Sequence, residues 1–543
     1  MSTPADQLPP AAEPSHSSGL SDSTAAGRAA DDAPLESGGV LTRALLFSVF
    51  IIAACGLVYE LIAAAASTYL LGDSVTQFSL VIGVYLASMG IGSYLSQYVT
   101  DKVVTRFVDI ELLIAVVGGF SAAIMFFTFA YAGPGFRVVL YLLVVLVGIF
   151  VGLEIPLVMR ILKERLGFKD LVAQVLSFDY IGALGVSIAF PLFLAPRLGL
   201  IRTAFLFGIM NAAIALWAVW LFRDRLKNAF TMAVKCVLVL VALTAGFIWS
   251  DELTRMSEDQ LYSDQIIHAE SSRAQRIVIT RWRDDLRLHL NGNLQFSSMD
   301  EYRYHEALVH PVLATLSGAR KVLVLGGGDG LAVREILKYP QVESVTLVDL
   351  DPAMTKLFST AAQLRKLNAD SLNSPKVKVE NADAFVWLEQ SREFFDFVVI
   401  DFPDPSNHSL GKLYTTAFYS LLKRRMAEGA MAVIQSTSPL YARKSFWCIV
   451  ATLEESGFNP TPYHALVPSF GEWGFVAITK KDGPREYSPP AAYTVPTRFM
   501  DAALHPALFT FPKDMERVPT VVNRLNNQAL VQYFEGEWRR GGS

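Results

Sequence analysis

The stretch KVLVLGGGDGLAVREILKY, residues 321–339, determines the fold of the second half of this chain. A short apolar run leads into consecutive glycines and then into a helical pattern of apolar positions. This order predicts a β-strand, a tight turn and an α-helix. Glycines such as Gly326 and Gly328 let a backbone approach a ligand closely and aim the helix N-terminus at it. For this motif alone, a tight turn without a ligand is the alternative.

Acidic residues end the apolar strands that follow this turn. Asp349 closes SVTLVD, Asp383 follows the next short strand, and Asp401 closes FDFVVID. Because the carboxyl ends of parallel strands meet at one edge of a sheet, these acids are predicted to line one site. Asp349 comes about 20 residues after the glycines, where an acid can accept hydrogen bonds from ribose hydroxyls. The pattern predicts an α/β Rossmann-like domain of the class I methyltransferase type.

Two further acids indicate a cationic substrate. Asp404 lies three residues after Asp401 in DFPDPSN, and Asp329 directly follows the glycines. Asp329 would attract an ammonium group and repel a carboxylate. Asp401 is placed to accept a proton from an attacking amine. The alternatives are that Asp404 only caps a turn and that Tyr304 and His305 are ordinary helix-face residues.

Two apolar runs upstream alternate with period two. RIVITRW and RLHLNGNLQF, within residues 276–296 and joined by RDD, predict a β-hairpin. We expect a small β subdomain between the first half of the chain and the Rossmann-like domain.

The first half of the chain is far more apolar. Apolar residues make up 52% of the 543 residues, and nearly all of the excess precedes Ser250. Runs of about 20 apolar residues, enough to cross a bilayer, occur seven times. They lie near residues 43–71, 77–98, 110–131, 136–159, 171–195, 200–222 and 229–249. We predict a multi-span α-helical membrane domain that follows a disordered polar tail at residues 1–40.

Three acids lie inside these apolar runs: Glu60, Glu154 and Asp179. Carboxylates are unfavourable in lipid, so these side chains are expected to face the interior of the helical bundle. One interpretation is a path or site for a cation, including an amine. The other is that they form hydrogen bonds that fix helix packing.

Composition excludes several classes of function. The net charge is −4 and no basic block is present, so no nucleic-acid partner is predicted. Cys55, Cys236 and Cys448 are far apart and none belongs to a CxxC motif, so neither a disulfide framework nor a metal site is expected.

With these residues in view, residues 262–480 resemble spermidine synthases, and the chain looks most like their bacterial multi-pass membrane branch. The resemblance lies in an ordered series: Gln295, Tyr304-His305-Glu306, GGGDG at 326–330, VDLD, Asp383, DFPDP at 401–405, Gln435, and VPSFGEWGF at 467–475.

The resemblance implies a reaction and a role for each of these positions. Decarboxylated S-adenosylmethionine would donate an aminopropyl group to a di- or polyamine, putrescine by default, and methylthioadenosine would leave. Asp401 and Tyr304 would deprotonate and align the amine. The polyamine would be bound by His305, Asp404 and Gln435. The donor would be bound by Gln295, Gly326, Gly328, Asp329, Asp349, Asp383 and Ala384.

Several positions depart from the family pattern. Phe470 stands where soluble relatives have a tyrosine, so a hydroxyl expected near the amine is missing. Asp349 replaces a glutamate, and Leu331 and Ala384 replace glycines. The first departure leaves the identity of the amine open.

Location and assembly are less determined. The resemblance implies a multi-pass protein of the bacterial inner membrane, with a homodimer possible. Basic residues concentrate in the turns after the second, fourth and sixth runs, which predicts that those turns face the cytoplasm. Seven spans would then place the catalytic part outside, away from a donor made inside the cell, so the side stays open.

Two alternatives to an aminopropyltransferase remain. One is a membrane polyamine transporter or sensor with a synthase-like binding domain, and the other is an S-adenosylmethionine-dependent methyltransferase, which Asp329 disfavours. The predicted organisation is a tail (1–40), a membrane domain (41–250), a β subdomain (251–300), the Rossmann-like synthase domain (301–482) and a C-terminal extension (483–543) that covers the site or contacts the bundle.

Overall fold

The computed structural model describes residues 39–71, 74–132, 135–163, 167–262, 264–272 and 274–541. The predicted disordered tail falls almost wholly outside these residues. The described chain has an all-helical first half, up to Leu261, and a mixed α/β second half that begins with the first strand at Gln265.

Long apolar helices form the first half. Their bounds are α1 (Gly39–Leu71), α2 (Ser74–Leu95), α3 (Val103–Ala132), α4 (Phe136–Leu162), α5 (Phe168–Ala189), α6 (Gly199–Leu221) and α7 (Ala229–Ile248). By length and hydropathy, six helical segments among the described residues could cross a membrane. One of these segments covers residues 168–221 and includes both α5 and α6.

This 54-residue segment is long enough for two crossings. A straight helix of that length would span about 80 Å, against about 30 Å for the hydrocarbon core of a bilayer. A π-helical stretch, Phe190–Leu198, and Gly199 with a φ of 75° interrupt it. The Thr203 hydroxyl donates to the carbonyl of Leu194 at 3.4 Å, so the chain folds back here. The helices therefore match the seven apolar runs of the sequence.

Small residues bring the helices into backbone contact. A Cβ added at Gly92 of α2 would lie 2.1 Å from the carbonyl oxygen of Ile149 on α4, and one added at Gly152 would lie 2.1 Å from that of Met89. Glycine is therefore required at both positions. Close approach through small residues is how helices associate where no hydrophobic effect drives them together.

A small antiparallel sheet follows helix α8 (Ser250–Leu261). Its strands are β1 (Gln265–Ser271), β2 (Arg276–Trp282), β3 (Asp285–Leu290) and β4 (Asn293–Ser297), paired in chain order. The predicted hairpin is confirmed as β2–β3. The single strand expected over RLHLNGNLQF is wrong, because Asn291 and Gly292 both have positive φ, 50° and 81°, and turn the chain into β4. An Asn-Gly pair favours such a two-residue turn.

The second sheet has seven strands in the order β10-β11-β9-β8-β5-β6-β7. Its strands are β5 (Lys321–Gly326), β6 (Ser344–Asp349), β7 (Val377–Asn381), β8 (Phe395–Asp401), β9 (Met426–Gln435), β10 (Phe458–Val467) and β11 (Gly471–Lys480). The five strands from β9 to β7 are mutually parallel, whereas β11 pairs antiparallel with both β9 and β10. The predicted Rossmann-like core is therefore present, with a topological switch point at β5, between β8 and β6.

Helices cover both faces of this sheet, and the apolar residues of β5 and β8 are fully buried between them. Such burial explains the continuous apolar runs in their sequences. The helices are α9 (Glu301–Leu313), α10 (Leu331–Leu337), α11 (Pro352–Thr360), α12 (Ala362–Leu367), α13 (Ala384–Gln390), α14 (His408–Gly411), α15 (Thr416–Arg425), α16 (Arg443–Glu455), α17 (His505–Leu508) and α18 (Ala529–Gly541).

The C-terminal extension packs on the α/β half. Buried Glu306 of α9 accepts hydrogen bonds from the backbone N–H groups of Arg498, Phe499 and Met500. Buried Asn523 donates to the carbonyls of Gly411 and Tyr414, at 3.1 Å each. The extension therefore supports the loop that follows DFPDP.

Candidate active site

The glycine turn after β5 sets the floor of the site. A Cβ added at Gly326 would lie 2.2 Å from the carbonyl oxygen of Asp401, and one added at Gly328 would lie 2.7 Å from the carboxyl group of Asp349. Gly326 also has a φ of 82°. Both predicted glycines are thus required by close packing against the acids at the ends of β8 and β6.

Asp349 at the end of β6 is held by backbone donors. Its carboxyl oxygens accept hydrogen bonds from the N–H of Gly328 at 3.0 Å and of Asp351 at 2.8 Å. Burial raises the pKa of Asp349 to about 6, although these two donors oppose the rise. The carboxylate is therefore oriented over the glycine turn and stays ionised at neutral pH.

Asp329 lies in the turn between β5 and α10 and is buried. It is 8% exposed, and one carboxyl oxygen accepts a hydrogen bond from the N–H of Leu331 at 2.9 Å. Burial raises its pKa, whereas the positive charge of His305 lowers it. The other oxygen has no hydrogen bond among the described residues, so this acid can receive a cationic group.

Asp401 and Tyr304 form the centre of the site. The Tyr304 hydroxyl donates to Oδ1 of Asp401 at 2.5 Å. Burial raises the pKa of Asp401 to about 6, while His305 and the Tyr304 hydrogen bond lower it. A carboxylate with this pKa is ionised at neutral pH and is more basic than an exposed aspartate, which suits a proton acceptor. Burial and the adjacent Asp401 raise the pKa of Tyr304, so this tyrosine keeps its proton.

His305 belongs to a buried ionic network that sequence reasoning missed. Its Nδ1 is 2.9 Å from the carboxylate of Glu301, which also accepts hydrogen bonds from Arg334 at 2.8 and 2.9 Å. Burial lowers the pKa of His305, but the hydrogen bond and negative charge of Glu301 have the larger effect and raise this pKa to about 9. The resulting imidazolium acts electrostatically on Asp329 and Asp401. Its spacing of four residues from Glu301 on one helix is the only sequence signal for this network.

Asp404 follows β8, and Gln435 ends the neighbouring strand β9. Burial raises the pKa of Asp404 to about 7, although the nearby side chains of Gln435 and Thr437 oppose the rise, and its buried Oδ1 makes no close hydrogen bond among the described residues. Gln435 is occupied by protein groups: its amide nitrogen donates to the Phe402 carbonyl and Tyr414 hydroxyl, and its oxygen accepts from Trp473. Asp404 can therefore take up an ammonium group, whereas Gln435 holds the loop around it.

An apolar wall borders Tyr304. The ring of Phe470 lies 6.3 Å from that of Tyr304 and 5.2 Å from that of Trp473. Phe475 packs edge-on to Tyr304 at 5.3 Å. The departure from tyrosine at Phe470 thus places a ring without a hydroxyl beside the central pair.

Asp383 and Ala384 lie where the chain passes from β7 into α13. One oxygen of Asp383 accepts from the N–H of Phe385 at 2.9 Å, and the other pairs with Lys412 at 2.6 Å. Burial would raise the pKa of Asp383, but the hydrogen bond and charge of Lys412 lower it overall. No sequence signal pointed to Lys412, which comes from the loop after DFPDP.

Gln295 is the predicted residue that the structure does not connect to the others. Its amide nitrogen donates to the carbonyls of Asn293 and Leu294 on its own strand, at 3.2 and 3.4 Å. Within the described ranges, no three or more His, Cys, Asp or Glu side chains are arranged to hold a metal ion.

Comparisons with known proteins show the family of this chain. The Spermine/spermidine synthase domain model matches residues 301–487. Polyamine aminopropyltransferase 1 of Ralstonia nicotianae is 57% identical over 93% of this chain and 96% of that protein. The polyamine aminopropyltransferase of Leptospira interrogans is 55% identical, covering 92% of this chain and 99% of that protein. That of Mycobacterium tuberculosis is 38% identical, covering 91% and 96%. The chain belongs to the polyamine aminopropyltransferase family.

Proposed function

We propose that this enzyme transfers the aminopropyl group of decarboxylated S-adenosylmethionine to putrescine, forming spermidine and methylthioadenosine. The main support is the buried Tyr304–Asp401 pair, on which two further buried acids, Asp329 and Asp404, act electrostatically. Asp329 suits the ammonium group of the donor, and Asp404 suits the ammonium group at the non-reacting end of the acceptor. The Tyr304–Asp401 pair suits the amine of the acceptor that reacts.

The chemistry needs one proton transfer. The neutral amine nitrogen attacks the carbon next to the sulfonium, the carbon–sulfur bond breaks, and its electron pair leaves with methylthioadenosine. Asp401 accepts the proton lost by the amine, and the Tyr304 hydroxyl aligns the carboxylate through its hydrogen bond. Positioning and one general base account for such a reaction.

The donor would extend along the carboxyl edge of the sheet. Asp329 would hold its ammonium group, Asp349 its ribose and Asp383 with Ala384 its adenine, over the cradle of Gly326 and Gly328. Gln295 would approach the sulfonium region. Asp329 also separates this proposal from a methyltransferase, because a buried acid disfavours the carboxylate of ordinary S-adenosylmethionine.

The acceptor would lie between Asp401 and Asp404. The unpartnered Oδ1 of Asp404 supports this placement, since a buried carboxylate oxygen needs a donor. Gln435 positions the loop that carries Asp404. The positive charge of His305 lowers the pKa of Asp329 and Asp401. The apolar side of Phe470 suits the methylene chain of a diamine.

We also propose that the helical half lies in a membrane, the bacterial inner membrane. Large apolar side chains on its outer surface are exposed, among them Leu86, Leu142, Leu184 and Leu238. Seven spans would place the α/β half on the face opposite the basic turns. Reporter fusions at Gly541 and in the α2–α3 turn test this: equal labelling of both from one side contradicts seven spans.

A product assay on detergent-purified protein tests the activity. Decarboxylated and ordinary S-adenosylmethionine are offered separately with a panel of diamines. Methylthioadenosine formed only from the decarboxylated donor, with putrescine as the preferred acceptor, supports the proposal. S-adenosylhomocysteine would identify a methyltransferase, and absence of both products would overturn transferase activity.

A further inference from the structure

The helical half buries a second group of acids, remote in sequence from the transferase motifs. Glu111 of α3 is fully buried, Glu154 of α4 is 1% exposed and Glu60 of α1 is 8% exposed. Sequence reasoning singled out Glu60 and Glu154 but missed Glu111, which lies near the start of an apolar run. Burial of several acids within one bundle requires a compensating partner.

Glu111 and Glu154 lie within hydrogen-bonding reach of each other. Two carboxylates this close cannot both be charged unless a proton or another cation lies between them. None of the ion pairs among the described residues includes either acid. Apart from this mutual contact, both oxygens of Glu111 and one oxygen of Glu154 have no hydrogen-bond donor among the described residues.

Asn211 of α6 supplies an independent sign of a missing ligand. It is 1% exposed, and neither its amide nitrogen nor its amide oxygen has a hydrogen-bond partner among the described residues. Gly208 packs against the backbone of Ala115, and α3 and α6 run antiparallel, since Gly119 lies near Ala204. One turn further along both helices, Asn211 and Glu111 come to the same level of this interface.

Tyr59 of α1 adds an aromatic wall with an unpartnered hydroxyl. The side chain is 3% exposed, and its ring lies on Gly118 of α3, where an added Cβ would be 2.6 Å away. Tyr59 is within electrostatic range of both Glu111 and Glu154.

We propose that Glu111, Glu154, Asn211 and Tyr59 form a binding site for a primary alkylammonium group inside the helical half. An ammonium group has three donors and one positive charge, which match two carboxylates and an amide oxygen, and it binds favourably beside an aromatic ring. Calcium and magnesium ions take six or more oxygen ligands, more than this group supplies. Without a ligand, Glu111 and Glu154 share a proton, and the bound ammonium group replaces that proton. This site is separate from the acceptor site at Asp404.

Radiolabelled putrescine is the probe, used in equilibrium dialysis with the full-length protein in detergent and without an aminopropyl donor. The double variant Glu111→Gln/Glu154→Gln is expected to lose one bound putrescine per chain and to keep its rate of methylthioadenosine formation. Asp404→Asn is expected to retain that putrescine. The matched control is Asp109→Asn, two residues before Glu111 on α3 but directed to another face, which should bind as the unmodified protein does.

Unchanged putrescine binding in the double variant, or complete loss of binding in Asp404→Asn alone, would overturn the site and leave the pair as a shared-proton contact. If the double variant does not fold, Asn211→Leu gives the same test with both carboxyls intact, and at least a tenfold weaker second binding step is expected. A protein that binds this putrescine but forms no methylthioadenosine would instead contradict the proposed transferase activity.

Discussion

The two halves of the molecule bury carboxyl groups in different ways. In the α/β half, Asp349 accepts two backbone N–H groups, Asp401 accepts the Tyr304 hydroxyl, and Asp383 pairs with Lys412. In the helical half, Glu111 and Glu154 have no such partners among the described residues. A helix uses its own N–H groups internally, whereas a turn after a strand leaves them free.

This difference indicates where each half can hold charge without a ligand. The strand-end acids are stabilised before any substrate arrives, so they form a preorganised site. The helix acids depend on a proton or a bound cation.

Replacement of the central base should have the greatest effect. Asp401→Asn keeps the shape of the side chain but cannot accept a proton, so kcat should fall by about 10²- to 10⁴-fold. Methylthioadenosine formation with saturating putrescine measures it. Glu393→Gln, at an exposed position just before β8 and at the opposite end of that strand from Asp401, should leave kcat unchanged. Activity of Asp401→Asn within threefold of the parent would exclude Asp401 as the base.

The charge on His305 should make stability depend on pH. Its pKa is raised to about 9 in the folded protein, so its contribution is complete below about pH 6.5, the ordinary value, and is lost as pH rises through 9. The loss should be up to about 3 kcal/mol, at about 1.4 kcal/mol for each pKa unit. Urea unfolding at pH 6, 7.5 and 9.5 measures it. His305→Gln should remove this component, and an identical pH profile in both proteins would contradict the charged state.

Removal of the Asp404 charge should act mainly on acceptor binding. Asp404→Asn should raise the KM for putrescine by about 10- to 100-fold, the loss expected for a charge-assisted hydrogen bond, with a smaller effect on kcat. Initial rates over a putrescine series give both constants. The KM for the donor serves as the internal control, and a change confined to it would place the acceptor elsewhere.

The pair between Lys412 and Asp383 should contribute least, because both side chains are about one-third exposed. Lys412→Met should raise the KM for the donor by about two- to fivefold, in keeping with an exposed ion pair worth below about 1 kcal/mol. The effect should shrink at high salt. A fall in kcat with unchanged KM would mean that the loop acts on chemistry and not on donor binding.

Most of the fold was predictable because it rests on local periodicity. Apolar runs of membrane length became α1 to α7, and the glycine turn between β5 and α10 formed where the sequence predicted it. The error over RLHLNGNLQF came from weighting alternation above the turn preference of Asn291-Gly292. Strand-end acids were predictable because parallel strands end at one edge.

The sequence by itself determined which residues end the strands and which segments are apolar enough for lipid, since both depend on neighbours along the chain. Only the tertiary structure decided which partner each buried acid has. Four contacts join elements that are distant in the sequence: Glu301 with Arg334, Asp383 with Lys412, Gln435 with Phe402, and Glu111 with Glu154. Partners of a buried charge are set by packing across helices and loops, which no local pattern records.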